Sequence, residues 1–293
     1  MNNLKDVVIG CITNYTFDKI QLFVDSLEQS GFDGYKVMIV YNVPFSTTNE
    51  LEKRGWIVLG FNKDENNKCY TYRDNFIVTV DRHLHYHSAI NNLNEEFGNL
   101  RYVMAIDPRD VIFQSNPSIW LENNLKDKKL NVGCESLKYK DEWWGRENLK
   151  DSFGETIYER LQNTPIYNAG TIAGEWNYLS ELSLNVYLLC QGSHNGTPDQ
   201  AALNILLSLQ PYKDITNFTM SEDGWACQAG TTVDPLKINH YRNYLLEPEP
   251  YMDVNDGFVK TSKGDIFTLV HQYDRVPVWN GIISKKYFKK LYS

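Results

Sequence analysis

The first third of the chain alternates short apolar runs with amphipathic stretches. Val7–Ile12 is a continuous, largely β-branched run, which is typical of a buried strand. Residues 17–32 then carry apolar side chains at helical spacing, and this pattern stops at Gly31. A second apolar run, residues 35–42, follows directly. This order predicts a βαβ unit, which is the connection that parallel strands require.

The alternation continues to the middle of the chain. Residues 56–61 form a third apolar run, and residues 79–97 place apolar side chains at helical spacing, with Asp81 as the predicted N-cap. Arg101–Ile106 is the next strand-like run. Repeated units of this kind indicate an α/β fold whose central sheet is mostly parallel and is flanked by helices.

The second half predicts a more mixed set of elements. Residues 131–136 and 165–175 read as strands, the latter with a glycine-rich turn, and residues 198–209 read as a helix. No repeat, low-complexity tract or convincing linker divides the sequence. We therefore expect a single α/β domain over residues 1–293.

Composition and charge limit the possible partners. The 293 residues carry a formal net charge of -8 and the isoelectric point is near 5.3, so we expect no general affinity for nucleic acid. The five cysteines are scattered without CxxC spacing, which favours a reducing compartment. No signal peptide is recognisable, and no apolar segment approaches the ~18 residues of a membrane span. We expect a cytoplasmic protein with no transmembrane segment.

Two acidic residues, Asp107 and Asp110, directly follow the strand-like run Arg101–Ile106. Asp107 precedes Pro108, which presets the first central position of a β-turn, so that Asp107 and Asp110 form the ends of the turn within about 7 Å of each other. Two carboxylates at that separation can bind one divalent cation, Mn2+ or Mg2+. Alternatively, Asp107 pairs with Arg109 or Arg101 in a solvated turn.

A metal ion held by two acids leaves coordination positions for phosphate oxygens. In an acidic protein such a bridge is the natural way to hold a diphosphate, so we predict a nucleotide diphosphate as ligand. His271 ends another apolar run and is a candidate third metal ligand, although a buried histidine with satisfied hydrogen bonds fits the same pattern. Thr13–Tyr15 follows the first strand, and ligands of open α/β sheets bind beyond the carboxyl ends of the strands.

Five segments, in order along nearly the whole chain, resemble motifs of the metal-dependent, nucleotide-sugar-using glycosyltransferases with the GT-A fold. They are VVIGCITNY (7–15), DPRDVIFQSNP (107–117), NAGTIAGE (168–175), PDQAALN (198–204) and HQYDR (271–275). The second stands in place of the family's D-x-D motif, with its acids three positions apart. The resemblance implies a Rossmann-like nucleotide-diphospho-sugar transferase domain, with a nucleotide-sugar-binding half in residues 1–115 and an acceptor-binding half in residues 116–293.

The resemblance also implies roles for individual residues. The donor would be a UDP- or GDP-sugar, and Mn2+ or Mg2+ would be held by Asp107, Asp110 and His271. The residues implied in nucleotide-sugar binding are Thr13, Asn14, Tyr15, Arg82, Asp107, Arg109, Asn168, Ala169 and Gly170. Asp199 and Gln200 would face the reaction centre, with Asp199 as the general base if the reaction inverts the anomeric carbon, or with either residue orienting the substrate if it retains the configuration.

Trp143 and Trp144 lie in the polar segment DEWWGREN (141–148). Because aromatic faces stack on the apolar faces of sugars, we expect the tryptophans to bind the acceptor, although a surface turn with one anchored tryptophan fits equally well. The predicted function is thus metal-dependent transfer of a sugar from a nucleotide diphosphate to a glycan or other hydroxyl acceptor. Two alternatives stay open: a catalytically inactive sugar- or nucleotide-binding module, and a metal-dependent phosphohydrolase or nucleotidyltransferase.

Overall fold

The computed structural model describes residues 4–193 and 195–288. The strands of this part of the chain are β1 Lys5–Thr13, β2 Tyr35–Tyr41, β3 Val43–Pro44, β4 Trp56–Leu59, β5 Asn62–Asp64, β6 Cys69–Thr71, β7 Leu100–Ile106, β8 Val111–Phe113, β9 Leu130–Lys138, β10 Pro165–Tyr167, β11 Thr171–Glu175, β12 Thr216–Thr219, β13 Ala226–Gln228, β14 Tyr251–Asp253, β15 Phe258–Lys260 and β16 Leu269–His271. The α-helices are α1 Gln21–Gln29, α2 Phe45–Lys53, α3 Val78–Phe97, α4 Pro117–Asn124, α5 Trp143–Phe153, α6 Glu155–Leu161, α7 Trp176–Cys190, α8 Asp199–Leu207, α9 Tyr212–Ile215, α10 Ala229–Thr232, α11 Ile238–Tyr241 and α12 Pro277–Tyr287. None of these helices has both the length and the apolar character needed to cross a membrane.

Eight strands form the central sheet. Their order is β10-β9-β11-β7-β1-β2-β4, and β12 also pairs with β9. The strands β7, β1, β2 and β4 run parallel to one another, whereas β11 is antiparallel to both of its neighbours. The predicted α/β fold with a mostly parallel sheet flanked by helices is confirmed, and the arrangement is consistent with a Rossmann-like fold.

Helices cover both faces of the sheet, which explains why the central strands are apolar throughout. In β1, Val7 and Ile9 pack in one cluster with side chains of α3 and α7. Val8 and Ile12 pack in a second cluster with side chains of α1 and α2. Successive side chains of a strand point to opposite faces, so a continuous apolar run suits a strand that is covered twice.

A smaller sheet lies beyond the end of β7. β8 pairs antiparallel with β16, and β16 pairs parallel with β13. This register places His271 opposite Val111, the residue that follows Asp110. The antiparallel pairing of β11 with β7 places Thr171 opposite Ile106, so the turn before β11 lies beside the turn after β7. Strand register thus brings together residues that are distant in the sequence.

The N-terminus of α3 differs from the prediction. Asp81 is not the N-cap, because the helix begins at Val78 and Ile77 is the capping residue. The Asp81 carboxylate instead reaches back from the first turn and accepts hydrogen bonds from Ile77 N at 3.2 Å and from Arg73 Nη2 at 2.6 Å. From this position its negative charge still faces the positive end of the helix dipole.

Candidate functional site

The two acids of the sequence motif lie in the turn between β7 and β8, hereafter the acid turn (residues 107–110). Asp107 N donates a hydrogen bond to Gly170 O at 3.0 Å, which ties the acid turn to the turn before β11. Gly10 of β1 makes room for Pro108, since a β-carbon at position 10 would lie 2.5 Å from the proline ring. Contacts on two sides therefore fix the acid turn at the carboxyl end of β7, where ligands of such sheets bind.

Asp107, Asp110 and His271 come together, as the sequence predicts. One donor atom from each lies within 4.8 Å of the other two. His271 Nε2 is 3.5 Å from Asp110 Oδ1, and both residues are buried. Two carboxylate oxygens and an imidazole nitrogen at this spacing can hold a metal ion.

Gln228 fixes the orientation of the His271 ring. Gln228 Oε1 lies 2.7 Å from His271 Nδ1, and Gln228 Nε2 donates to Thr171 Oγ1 at 3.1 Å. With the amide in this orientation, Nδ1 of the histidine is the donor, which leaves the Nε2 lone pair of the neutral ring facing Asp110. Metal-bound histidines usually have such a partner on their other nitrogen. The donor set and its support therefore fit a metal ion.

Asp110 and His271 shift each other's charge state. Burial disfavours the protonated form of His271, but the carboxylate of Asp110 outweighs this effect and raises the pKa of the histidine. Burial also disfavours the ionised form of Asp110, and His271 outweighs it, so the pKa of this carboxyl is lowered. The site thus concentrates negative charge that attracts a cation, which is either a proton on His271 or a metal ion.

The buried side chain of Arg82 joins two carboxylates. Its Nη1 donates to Asp107 Oδ1, and its Nη2 donates to Asp199 Oδ2 at 2.7 Å. Burial opposes ionisation of Asp199, but the guanidinium outweighs it and lowers the pKa of Asp199. His83 Nε2 lies 3.8 Å from the same carboxylate, which is too far for a hydrogen bond, and burial lowers the pKa of His83. Asp199 is therefore an ionised partner of Arg82 beside a neutral histidine.

The alternative in which Asp107 pairs with Arg109 or Arg101 is wrong for the part of the chain that the structure describes. Arg109 is about half exposed and donates to Asp274 Oδ2 at 2.8 Å. Arg101 makes two hydrogen bonds of 2.9 Å to the carboxylate of Asp6. Both arginines are thus engaged elsewhere.

Two cavities meet at the acid turn. The larger cavity has a volume of about 370 Å³ and is lined by the residues 168–170 together with Asp199 and Gln200. The smaller cavity has a volume of about 190 Å³ and is lined by Thr13 and Tyr15. The residues that line both cavities are Thr79, Arg82, Asp107 and Asp110.

The turn before β11 forms one wall of the larger cavity. Asn168 Oδ1 accepts a hydrogen bond from Gly170 N at 2.7 Å, and Gln200 Oε1 accepts one from Ala169 N at 3.3 Å. A β-carbon at Gly170 would lie 2.5 Å from Asp107 Oδ2. The missing side chain therefore lets the backbone approach the acid turn closely.

Most of the predicted site residues border these cavities, but two do not. Arg109 lines the smaller cavity, and Trp144 lines the larger one. Asn14 is exposed in a left-handed conformation with φ of 55°, and Trp143 is 55% exposed. Neither of these two lines either cavity. Of the tryptophan pair, Trp144 is the one that a ligand in the larger cavity would meet.

Four charged residues of the larger cavity are absent from the sequence-based set. They are Glu135, Glu142, Lys237 and Arg275. Glu135 could have been found from the sequence, because it is a charged residue within an apolar run that predicts a buried strand. Burying a charge costs free energy unless the charge is paired or hydrogen-bonded, so such a residue is a candidate for a functional role. The other three lie in polar stretches where a charged residue is expected on any surface.

No protein-family model matches this chain, and no curated protein matches it with significant sequence similarity. Its function is therefore inferred from the chemistry of the site itself. That chemistry consists of a candidate cation site, a buried arginine beside it, and two cavities of unequal size that meet there.

Proposed function

We propose that this protein is a metal-dependent glycosyltransferase with the GT-A fold, which moves a sugar from a UDP- or GDP-linked donor to a hydroxyl group of a glycan or other acceptor. The observation that carries the proposal is the position of Asp107, Asp110 and His271 where the two cavities meet. A nucleotide diphosphate sugar has a matching form, with a nucleoside at one end, a sugar at the other and the charged diphosphate between them.

The smaller cavity suits the nucleoside. Tyr15 presents a partly buried ring at its wall, and an aromatic face of this kind stacks on a base. Thr13 adds a hydroxyl that both donates and accepts hydrogen bonds. Arg109 lines the same cavity with a half-exposed guanidinium, which is paired with Asp274 and is a group of the type that binds phosphate.

The cation site suits Mn2+ better than Mg2+. Asp107 and Asp110 supply hard oxygen ligands that serve either ion, whereas His271 supplies an imidazole nitrogen, and Mg2+ prefers oxygen ligands throughout. When bound, the metal ion would neutralise negative charge on the departing diphosphate. Arg82 lies against the same acid turn and adds a fixed positive charge that does not depend on pH.

The larger cavity suits the donor sugar and the acceptor. The turn 168–170 and Gln200 line this cavity, and their backbone carbonyl and side-chain amide groups are of the kind that hydrogen-bond sugar hydroxyls. Asp199 holds Arg82 in place through their ion pair, so we assign it a positioning role. Trp144 is 39% exposed at this cavity and offers a ring face on which an acceptor sugar can stack.

Donor binding is tested by thermal unfolding with UDP-glucose, UDP-galactose, UDP-N-acetylglucosamine and GDP-mannose, each with and without Mn2+. A matching donor at 100 times its dissociation constant should raise the free energy of unfolding by about 2.7 kcal/mol. We expect this stabilisation only when the metal is present. Stabilisation of equal size in the presence of EDTA would contradict the metal-dependent mechanism.

The Asp110→Asn variant and the reaction products separate the proposal from its alternatives. Asp110→Asn should abolish the metal-dependent stabilisation by donor, whereas Asp33→Asn, whose side chain is 84% exposed, should behave as wild type. Release of nucleoside diphosphate supports a glycosyltransferase. Release of sugar 1-phosphate indicates a phosphohydrolase or nucleotidyltransferase instead, and binding without turnover indicates an inactive module.

A further inference from the structure

Five carboxylates of the described chain line the larger cavity, and the contacts of four of them explain their role. Asp107 and Asp110 belong to the candidate cation site. Asp199 is paired with Arg82. Glu142 is the N-cap of α5, and Glu135 is the fifth.

Both oxygens of Glu142 are occupied by structural hydrogen bonds. Its Oε2 accepts from Gly145 N in the first turn of α5, and its Oε1 accepts from the hydroxyl of Tyr241 at 2.7 Å. Glu142 thus joins α5 to α11, and each of its carboxylate oxygens holds a structural hydrogen bond. Glu135 is left as the cavity carboxylate whose role the packing does not explain.

An irregularity of β9 directs Glu135 into the cavity. In the pairing of β9 with β10, Cys134 lies opposite Tyr167 but Lys138 lies opposite Pro165, so four steps along β9 match two along β10. Ser136, within this bulge, has φ of 59°, which is a strained backbone conformation for a residue other than glycine. Bulges commonly turn a strand side chain toward a functional site.

The surroundings of Glu135 keep it available as a proton acceptor. It is 7% exposed, and its Oε1 accepts a hydrogen bond from Asn168 Nδ2 at 2.8 Å. No Lys, Arg or His of residues 4–193 and 195–288 forms an ion pair with it. Burial raises the pKa of Glu135. The hydrogen bond from Asn168 lowers it and the charge of Glu142 raises it, and the net shift is upward. Asp199 has the opposite environment, because Arg82 stabilises its charge.

We infer that Glu135 is the general base of the transfer reaction, an inference that rests on the proposed function. The acceptor hydroxyl oxygen forms a bond to the anomeric carbon of the donor sugar. The bond from that carbon to the diphosphate oxygen breaks, and its electron pair leaves with the nucleoside diphosphate. The acceptor proton passes to the Glu135 carboxylate and from there to water. Because a single displacement inverts the carbon that is attacked, the product has the inverted anomeric configuration.

The Glu135→Gln variant tests this role with the least structural change. It keeps an oxygen that accepts from Asn168 and removes the ability to take a proton. With Mn2+, the best donor of the panel above, and methyl glycosides or water as acceptor, kcat should fall about 10²- to 10⁴-fold. The affinities for Mn2+ and for the donor should stay at the wild-type level. Glu147→Gln, on the exposed side of α5, should keep the wild-type rate.

Two further measurements do not depend on the folding of that one variant. In Glu135→Ala the shortened side chain leaves space for a small carboxylate, so added formate should restore part of the transfer rate, while it should not help Glu135→Gln. The anomeric configuration of the wild-type product, read by proton NMR before mutarotation, should be opposite to that of the donor.

The outcomes separate this inference from the proposed function. If no donor of the panel is bound or turned over by the wild-type protein, both fail. If the wild type is active but Glu135→Gln retains its rate, or if the product keeps the donor configuration, the base assignment fails and the glycosyltransferase proposal stands. A variant that loses donor affinity with kcat unchanged overturns the assignment as well, because Glu135 would then bind the sugar without taking a proton.

Discussion

Replacing Gly170 by alanine is the sharpest test of how the candidate cation site is built. A β-carbon at this position would lie 2.5 Å from Asp107 Oδ2 and 2.9 Å from its Cγ, and real β-carbons essentially never make contacts under 3.0 Å, so the neighbouring group must shift. The carboxylate of Asp107 is therefore expected to move by roughly 0.5 Å or more, which exceeds the range of about 0.2 Å over which metal–ligand distances vary. We expect Mn2+ affinity to fall about 10- to 100-fold, the range seen when the support of a metal ligand is lost, or about 1.4 to 2.7 kcal/mol.

The loss is measured by titrating Mn2+ and following the free ion by electron paramagnetic resonance. Gly281→Ala is the matched control, because nothing lies within 4 Å of a β-carbon there and alanine should stabilise α12 by about 0.5 to 1 kcal/mol. Wild-type Mn2+ affinity in Gly170→Ala would refute the reasoning, since the acid turn would then not need the close approach of the neighbouring backbone. An equal loss in both variants would show that the effect is not specific to the site.

Two more predictions concern His271 and its support. Because its pKa is raised, protonated His271 stabilises the metal-free protein. This stabilisation is complete below the usual pKa of 6.5 and is lost as the pH rises through the raised value. Thermal unfolding in EDTA, with His271→Asn for comparison, measures this stabilisation. Mn2+ affinity should rise over the same pH interval, because the metal displaces that proton, and a flat profile would contradict the coupling. Gln228→Leu frees the histidine ring and should lower Mn2+ affinity about 10- to 100-fold, while Gln191→Leu on the exposed end of α7 should not.

The parts of the site that follow from local sequence could be predicted. Asp107, Pro108 and Asp110 carry their own turn geometry, and the apolar run before them places that turn at the carboxyl end of a strand. The α/β order follows in the same way from the spacing of apolar residues, which decides both the type of each element and the faces that it buries.

The remaining parts depend on contacts between distant segments. From its own residues, His271 fits a buried core histidine with satisfied hydrogen bonds better than a metal ligand, and the pairing of β16 with β8 is what places it against Asp110. The partner of Asp107 is Arg82 on α3 rather than a nearby arginine, because the helix packs across the end of β7. Glu135 reaches the cavity through a bulge, and the sequence carries no residue pattern that predicts a bulge.

Arg82 and the proton on His271 together act as an internal substitute for the cation. Concentrated negative charge inside a protein usually opposes compaction until a counter-ion arrives. Here Arg82, fixed between Asp107 and Asp199, supplies that counter-ion from within the chain. The protein can therefore fold completely before it binds a metal ion. Metal binding then replaces the proton on His271 in a site that is already folded. Under the proposed function, a shortage of Mn2+ would lower the fraction of the protein that is active without lowering the amount of folded protein.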